Sequence, residues 1–178
     1  MNNVEVNKSI HLSQHYTLGE MTKTGTGIPN IPSRVSIENL RNICENWLEE
    51  MRYDYNTLYC LKPGEDYETS KSVEPVIITS GFRSEDVNRA VGGSPSSNHL
   101  TGCAVDIRCA GFEQAVRYAT ILLDIADDTG QDYDELFIER KKGGALLAAL
   151  RREARRQPPK DDVLAGGMKA FLNESERF

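Results

Sequence analysis

His99 and Asp106 stand seven residues apart within ITSGFRSEDVNRAVGGSPSSNHLTGCAVDIRC, residues 78–109, and His99 is the only histidine outside the first fifteen residues. An imidazole and a carboxylate this close in sequence suit a zinc ion, which accepts nitrogen and oxygen donors. Gly102 and Ala104 between them allow a tight loop and an uncrowded strand. The same pair can equally make a structural hydrogen bond, so its meaning depends on its surroundings.

The elements around the pair follow from local pattern. Val76-Ile77-Ile78-Thr79, behind Pro75 and ahead of Ser80-Gly81, predicts a buried strand ending in a turn. Ser84 caps a short helix through Val87, Ala90 and Val91 that Gly92-Gly93 stops, and residues 93–98 form a loop. Residues 103–107 read as a second strand, so Asp106 projects from a strand and His99 from the loop before it. Alternation sets Cys103 and Val105 on one face and Ala104 and Asp106 on the other, which makes Cys103 a buried thiol rather than a ligand.

Elsewhere, Ile37, Leu40, Cys44, Trp47, Leu48 and Met51 recur at helical spacing behind Ser36, predicting a helix over 37–52 with Trp47 in the core. Residues 53–72 predict a long loop or irregular hairpin around Pro63-Gly64. Phe112, Val116, Ala119, Leu123 and Ala126 define the buried face of another helix, Gly130 ends it, and YDELFIE, 133–139, predicts a third strand. Residues 1–35 are expected to be an arm packed on the domain, residues 36–140 the core, and residues 141–178 a basic, helical segment, since GGALLAALRREARRQPPK favours helix by propensity. His11 and His15 lie in the arm and read as surface histidines.

With 178 residues, 39% apolar and 27% charged, the chain has the make-up of one ordinary globular domain. No apolar run reaches the roughly 18 residues of a membrane span. Four cysteines, Cys44, Cys60, Cys103 and Cys109, are too few and irregular for a disulfide framework. The net charge of −6 is uneven: residues 140–160 hold eight basic residues and one acid, and the rest of the chain carries 13 basic against 26 acidic. A solvated helix face is the ordinary use of such a run, and attraction to an anionic polymer the other. The first residues lack the features of a secretory signal, so the expectation is a protein made in the cytoplasm and delivered by another route.

Ser80-Gly81-Phe82-Arg83, Asn88, Gly92-Gly93 and Ser97-x-His99-x-x-Gly102-x-Ala104-x-Asp106 resemble the signature of the D-Ala-D-Ala carboxypeptidase family of zinc peptidases, peptidase M15, which includes phage L-alanyl-D-glutamate endolysins. HYTLGEMTKT, IPNIPS, the helix from Glu38 and YDELFIE resemble its short members more loosely, so the likeness covers about residues 12–140. It implies an α+β fold, a small antiparallel sheet flanked by helices. It also implies zinc as cofactor, His99 and Asp106 as metal ligands, Arg83 on the substrate carbonyl, and Ser97 on the peptide. Zinc in such a site activates water and polarises the scissile carbonyl.

One element of that family pattern is missing. The family completes its site with a histidine on a late strand, and no histidine follows His99; Ala145 and Leu147 fall where tryptophan and histidine would stand. Glu139, His11, His15 or another chain could supply a donor, and Glu139 is also the best candidate for the general base. The resemblance implies a peptidoglycan stem-peptide peptidase, of carboxypeptidase or endopeptidase type, acting at the cell wall as a phage or bacterial lytic enzyme. A catalytically degenerate module that binds wall or builds a phage particle is the alternative. No nucleic acid or membrane partner is expected.

Overall fold

The computed structural model describes residues 9–140 in full and the backbone of strands 146–151 and 170–172. Its elements in chain order are α1 (Leu18–Met21), α2 (Arg34–Ile43), a π-helical turn (Cys44–Leu48), α3 (Glu49–Tyr59), β1 (Ile77–Ser80), α4 (Glu85–Ala90), a 3-10 turn (Asn98–Thr101), β2 (Ala104–Cys109), α5 (Phe112–Thr129), β3 (Glu135–Arg140), β4 (Leu146–Arg151) and β5 (Ala170–Leu172). The strands form one sheet in the order β1-β2-β4-β3-β5, antiparallel except for the parallel β3–β5 pair. The α+β class and the small sheet with helices against it stand as expected from the sequence.

Alternation decides which face of the sheet is core. Val105, Ile107, Cys109 and Leu136 join the buried cluster with Leu40, Trp47, Tyr118 and Leu122 from the helices. Asp106 and Arg108 therefore belong to the opposite face of β2, away from the helices. A polar site is thus built on the back of an apolar strand without crossing the core.

The long N-terminal helix begins earlier and runs further than 37–52. Ser33, not Ser36, is the cap: its backbone is extended and its hydroxyl accepts the Ser36 N–H at 3.1 Å. Continuation to Tyr59 through the π-helical turn turns the predicted loop over 53–59 into helix, because Met51 and Tyr55 extend the buried stripe. Trp47 is fully buried and meets Tyr133 edge-on, with ring centroids 6.2 Å apart.

Two further expectations are corrected. On α5 the buried residues are Ala115, Tyr118, Ile121, Leu122, Ile125 and Ala126, while Phe112 and Val116 are 52% and 39% exposed. The helix is apolar around much of its circumference, so periodicity alone admits more than one stripe; Tyr118 against Tyr55, centroids 4.7 Å apart, fixes its rotation. Residues 146–151 form strand β4, not helix, while 141–145, 152–169 and 173–178 of the expected helical segment lie outside the described residues. Helix propensity is worth only a few tenths of a kcal/mol per residue. β4 pairs along its whole length with both β2 and β3, whose facing backbone groups would otherwise lack partners.

The N-terminal segment is more than an overlay. Leu12, Tyr16, Leu18 and Met21 are at most 2% exposed, and α1 is closed by a capping box between Thr17 and Glu20. His15 is tied to α3, its backbone N–H and Nδ1 lying 2.7 and 2.6 Å from the Glu49 carboxylate.

All four cysteines are free thiols; Cys44, Cys103 and Cys109 are buried, Cys60 partly so. Burial pushes the Cys44 thiol far above its ordinary range, which suppresses the reactive thiolate. Under native conditions a thiol-reactive dye is expected to modify Cys60 first and the buried three only on unfolding, as peptide mass mapping over a labelling time course would read. Rapid native labelling of Cys44 would contradict this packing.

Candidate functional site

The site is assembled by three short devices around β1 and β2. The first is a register shift in β1: Ile78 pairs with Ile107 and Ser80 with Asp106, so Thr79 is the extra residue of a bulge. Bulges re-aim side chains beside functional sites. Here the bulge brings Ser80 opposite Asp106, and the Thr79 hydroxyl donates to the Asp106 carbonyl at 3.1 Å.

The second is the turn after β1. A Cβ on Gly81 would lie 2.5 Å from the Met21 carbonyl oxygen, so only glycine allows α1 to approach this closely. In return the Phe82 N–H donates to that oxygen at 2.8 Å. The third is the 3-10 turn Asn98–Thr101, which Gly102 ends with φ +75°. A Cβ there would meet the Ser36 carbonyl oxygen at 2.5 Å, so glycine is required on both counts.

These devices bring His99, Asp106 and Arg83 into one hydrogen-bonded unit. His99 is 2% exposed, and its Nδ1 lies 2.6 Å from the Gly81 carbonyl oxygen, to which it donates. That bond leaves Nε2 as the acceptor nitrogen, 3.3 Å from Asp106 Oδ1. The arrangement is the one metal-binding histidines use, with the ring oriented through its other nitrogen by a backbone carbonyl. Arg83 Nη2 donates to Asp106 Oδ2 at 2.8 Å, and Arg83 Nε to Ser80 Oγ at 2.8 Å. The Arg83 backbone N–H also donates to the His99 carbonyl at 2.9 Å. A carboxylate this buried needs such partners, and a bidentate-capable guanidinium is the strongest one available.

The structure therefore brings together Arg83, His99 and Asp106. Ser97 sits half-buried at the head of the turn that carries His99. Glu139 lies elsewhere on the sheet: it pairs with Leu147, which pairs with Arg108. It shares the face of Asp106 but stands two strands away, about 10 Å at ordinary strand spacing, and two residues further along. His15 is engaged by Glu49, and His11 is exposed and bridged to Thr17 in the N-terminal segment. Three contributors were not assigned from sequence: the Ser80 hydroxyl, the Gly81 carbonyl and the bulge at Thr79. The Ser-Gly pair was legible as a turn; its hydrogen-bonding duties were not.

A zinc ion is poorly matched by this set. Among the described residues no group of three His, Cys, Asp or Glu converges. The strands flanking β2 explain why. Ile77–Ser80 and Leu146–Arg151 contain no His, Cys, Asp or Glu, and the residue opposite Asp106 on β4 is Ala149. His99 and Asp106 would supply two donors where a catalytic zinc needs three, so the described residues do not fit a complete site.

The sequence model of the family described as Peptidase M15 matches residues 65–130, which include β1, Arg83, Ser97, His99 and Asp106. No curated protein matches the chain.

Two outcomes follow from this geometry. After dialysis against zinc-free buffer the chain is expected to retain well below about one zinc per molecule, as two ligands seldom hold the ion tightly; stoichiometric retention by mass spectrometry would overturn the two-ligand account. Gly102→Ala is expected to cost about 1–3 kcal/mol, from the positive φ and the contact with Ser36, measured as a lowered urea midpoint.

Proposed function

We propose that this chain, which belongs to the peptidase M15 family, acts on the stem peptides of peptidoglycan. Hydrolysis of their amide bonds, of D-Ala-D-Ala carboxypeptidase or L-Ala-D-Glu endopeptidase type, is the activity that membership supports best, and it would be exercised at the cell wall. The observation that carries the substrate side of this reading is the Arg83 guanidinium, held by Ser80 and Asp106 beside His99. A fixed, permanently charged fork suits a peptide carbonyl or a terminal carboxylate. Ser97, at the head of the His99 turn, is proposed to contact the same peptide. Glu139 is proposed as the acidic group that handles protons, from its place on the same sheet face.

A second reading rests on β4. The strand beside Asp106 has the sequence LLAALR and offers no donor to complete a metal site. A module that holds stem peptides without cutting them would keep Arg83 and tolerate that strand. The same fold then serves as a wall-binding part, and the substrate class is unchanged.

One experiment separates the readings. Purified chain is incubated with peptidoglycan, with and without added zinc, and both retention on the wall and new amine termini are measured. Release of amines that a chelator abolishes carries the hydrolytic reading; retention without release carries the second. In either case Arg83→Ala is expected to weaken binding of a synthetic stem pentapeptide by at least about tenfold, the scale of one charge-assisted hydrogen bond. Unchanged affinity in that variant would reject the assignment of Arg83 and with it the proposed substrate class.

A further inference from the structure

Asn30 lies far before the matched residues 65–130, yet its side chain makes three hydrogen bonds that enclose Arg83. Its Nδ2 donates to the carbonyls of Thr22 and Phe82, both at 2.9 Å, and its Oδ1 accepts the Ser84 N–H at 2.6 Å. Phe82 and Ser84 are the two neighbours of Arg83 in the chain. The primary amide is therefore filled on both hydrogens and on its oxygen, and the partners fix which way it faces. The neighbouring Pro29 carbonyl accepts the Ser84 hydroxyl at 3.1 Å, adding a second tie between the same two segments.

Each residue of the turn is thus held from outside it. Gly81 accepts from His99 Nδ1, Phe82 donates to Met21 and accepts from Asn30, Arg83 donates its N–H to His99, and Ser84 is held by Asn30 and Pro29. Of these ties, only Asn30 spans Arg83 on both sides with a single rigid group. An amide plane bonded to residues 82 and 84 sets the backbone of residue 83 between them, and with it the root of the guanidinium. The donors are as necessary as the acceptor. An aspartate in this place would set a carboxylate oxygen against two carbonyls.

We infer that Asn30 is the positioning residue for Arg83: it fixes the turn over 82–84 so that the guanidinium meets Ser80, Asp106 and an incoming peptide in one orientation. The role of that orientation in peptide binding rests on the reading of Arg83 given above; the positioning itself does not. Because the N-terminal segment supplies this group, residues 65–130 alone are an incomplete site.

Asn56 provides an internal control. It makes the same pattern of bonds, Nδ2 to the Arg52 and Glu74 carbonyls and Oδ1 to the Glu74 N–H, but it ties α3 to the segment before β1. The test uses the full chain and the variants Asn30→Asp, Asn30→Ala, Asn56→Ala and Arg83→Ala. It reads the Arg83 Nε–H resonance, the His99 ring nitrogen resonances, the melting temperature and the affinity for a synthetic stem pentapeptide. Both Asn30 variants are expected to move the Arg83 Nε–H resonance and weaken the pentapeptide about tenfold. Asn56→Ala is expected to lower the melting temperature and do neither.

Asn30 variants that leave the Arg83 resonance and the affinity unmoved would overturn the inference. So would failure of both Asn30 variants to fold while Asn56→Ala folds, since Asn30 would then be a residue of the fold alone. If Arg83→Ala leaves pentapeptide affinity unchanged, the functional reading of Arg83 fails, and the resonance shifts still decide whether Asn30 positions it.

Discussion

A carboxylate that is 12% exposed must be matched by donors, and the matching of Asp106 organises everything around it. One oxygen takes Arg83, the other faces His99, and each of those partners is held in turn by backbone or by Ser80. Removing Arg83 would leave the buried carboxylate without the cation that the structure sets on it, so the bulge, the turn at Gly81 and the 3-10 turn at Asn98–Thr101 act as one arrangement. The sheet makes that arrangement possible by putting Asp106 on the face that the helices do not cover.

The burial of the N-terminal segment has the same origin. Met21 contributes a carbonyl to Phe82, and Gly81 is a glycine because α1 lies so close. The core residues Leu12, Tyr16, Leu18 and Met21 anchor the segment, and Asn30 and the Pro29 carbonyl that follow meet the turn beside Arg83. Hydrophobic burial supplies the position and hydrogen bonds supply the orientation. This division explains how a segment with one short helical turn can be fixed firmly enough to serve a site.

Strands β1, β2 and β3, the caps of α4 and the faces of β2 were legible in the sequence because each rests on local chemistry. Ser84, Gly92 and the alternation from Cys103 to Ile107 need no distant partner to be read. The same holds for the pairing of His99 with Asp106, whose spacing and companions are contained in one stretch. What could not be read depends on partners far away in the chain. The rotation of α5 is set by Tyr55 and the duties of Asn30 by residues 82 and 84. Side-chain pattern names candidates; only tertiary contact chooses among them.

β4 shows the limit of propensity most clearly. Its six residues, LLAALR, are good helix formers, and in isolation nothing would make them a strand. Lying between β2 and β3, they satisfy the backbone of both neighbours, a demand that does not depend on which side chains they carry. The sheet can therefore be paired here while the described residues offer no complete set of metal donors. The register needs a backbone opposite Asp106, and Ala149 supplies one as well as a histidine would. Fold and chemistry are separable at this strand: the likeness to a peptidase family rests on residues before it, and the proposed hydrolysis on what a residue beside Asp106 can donate.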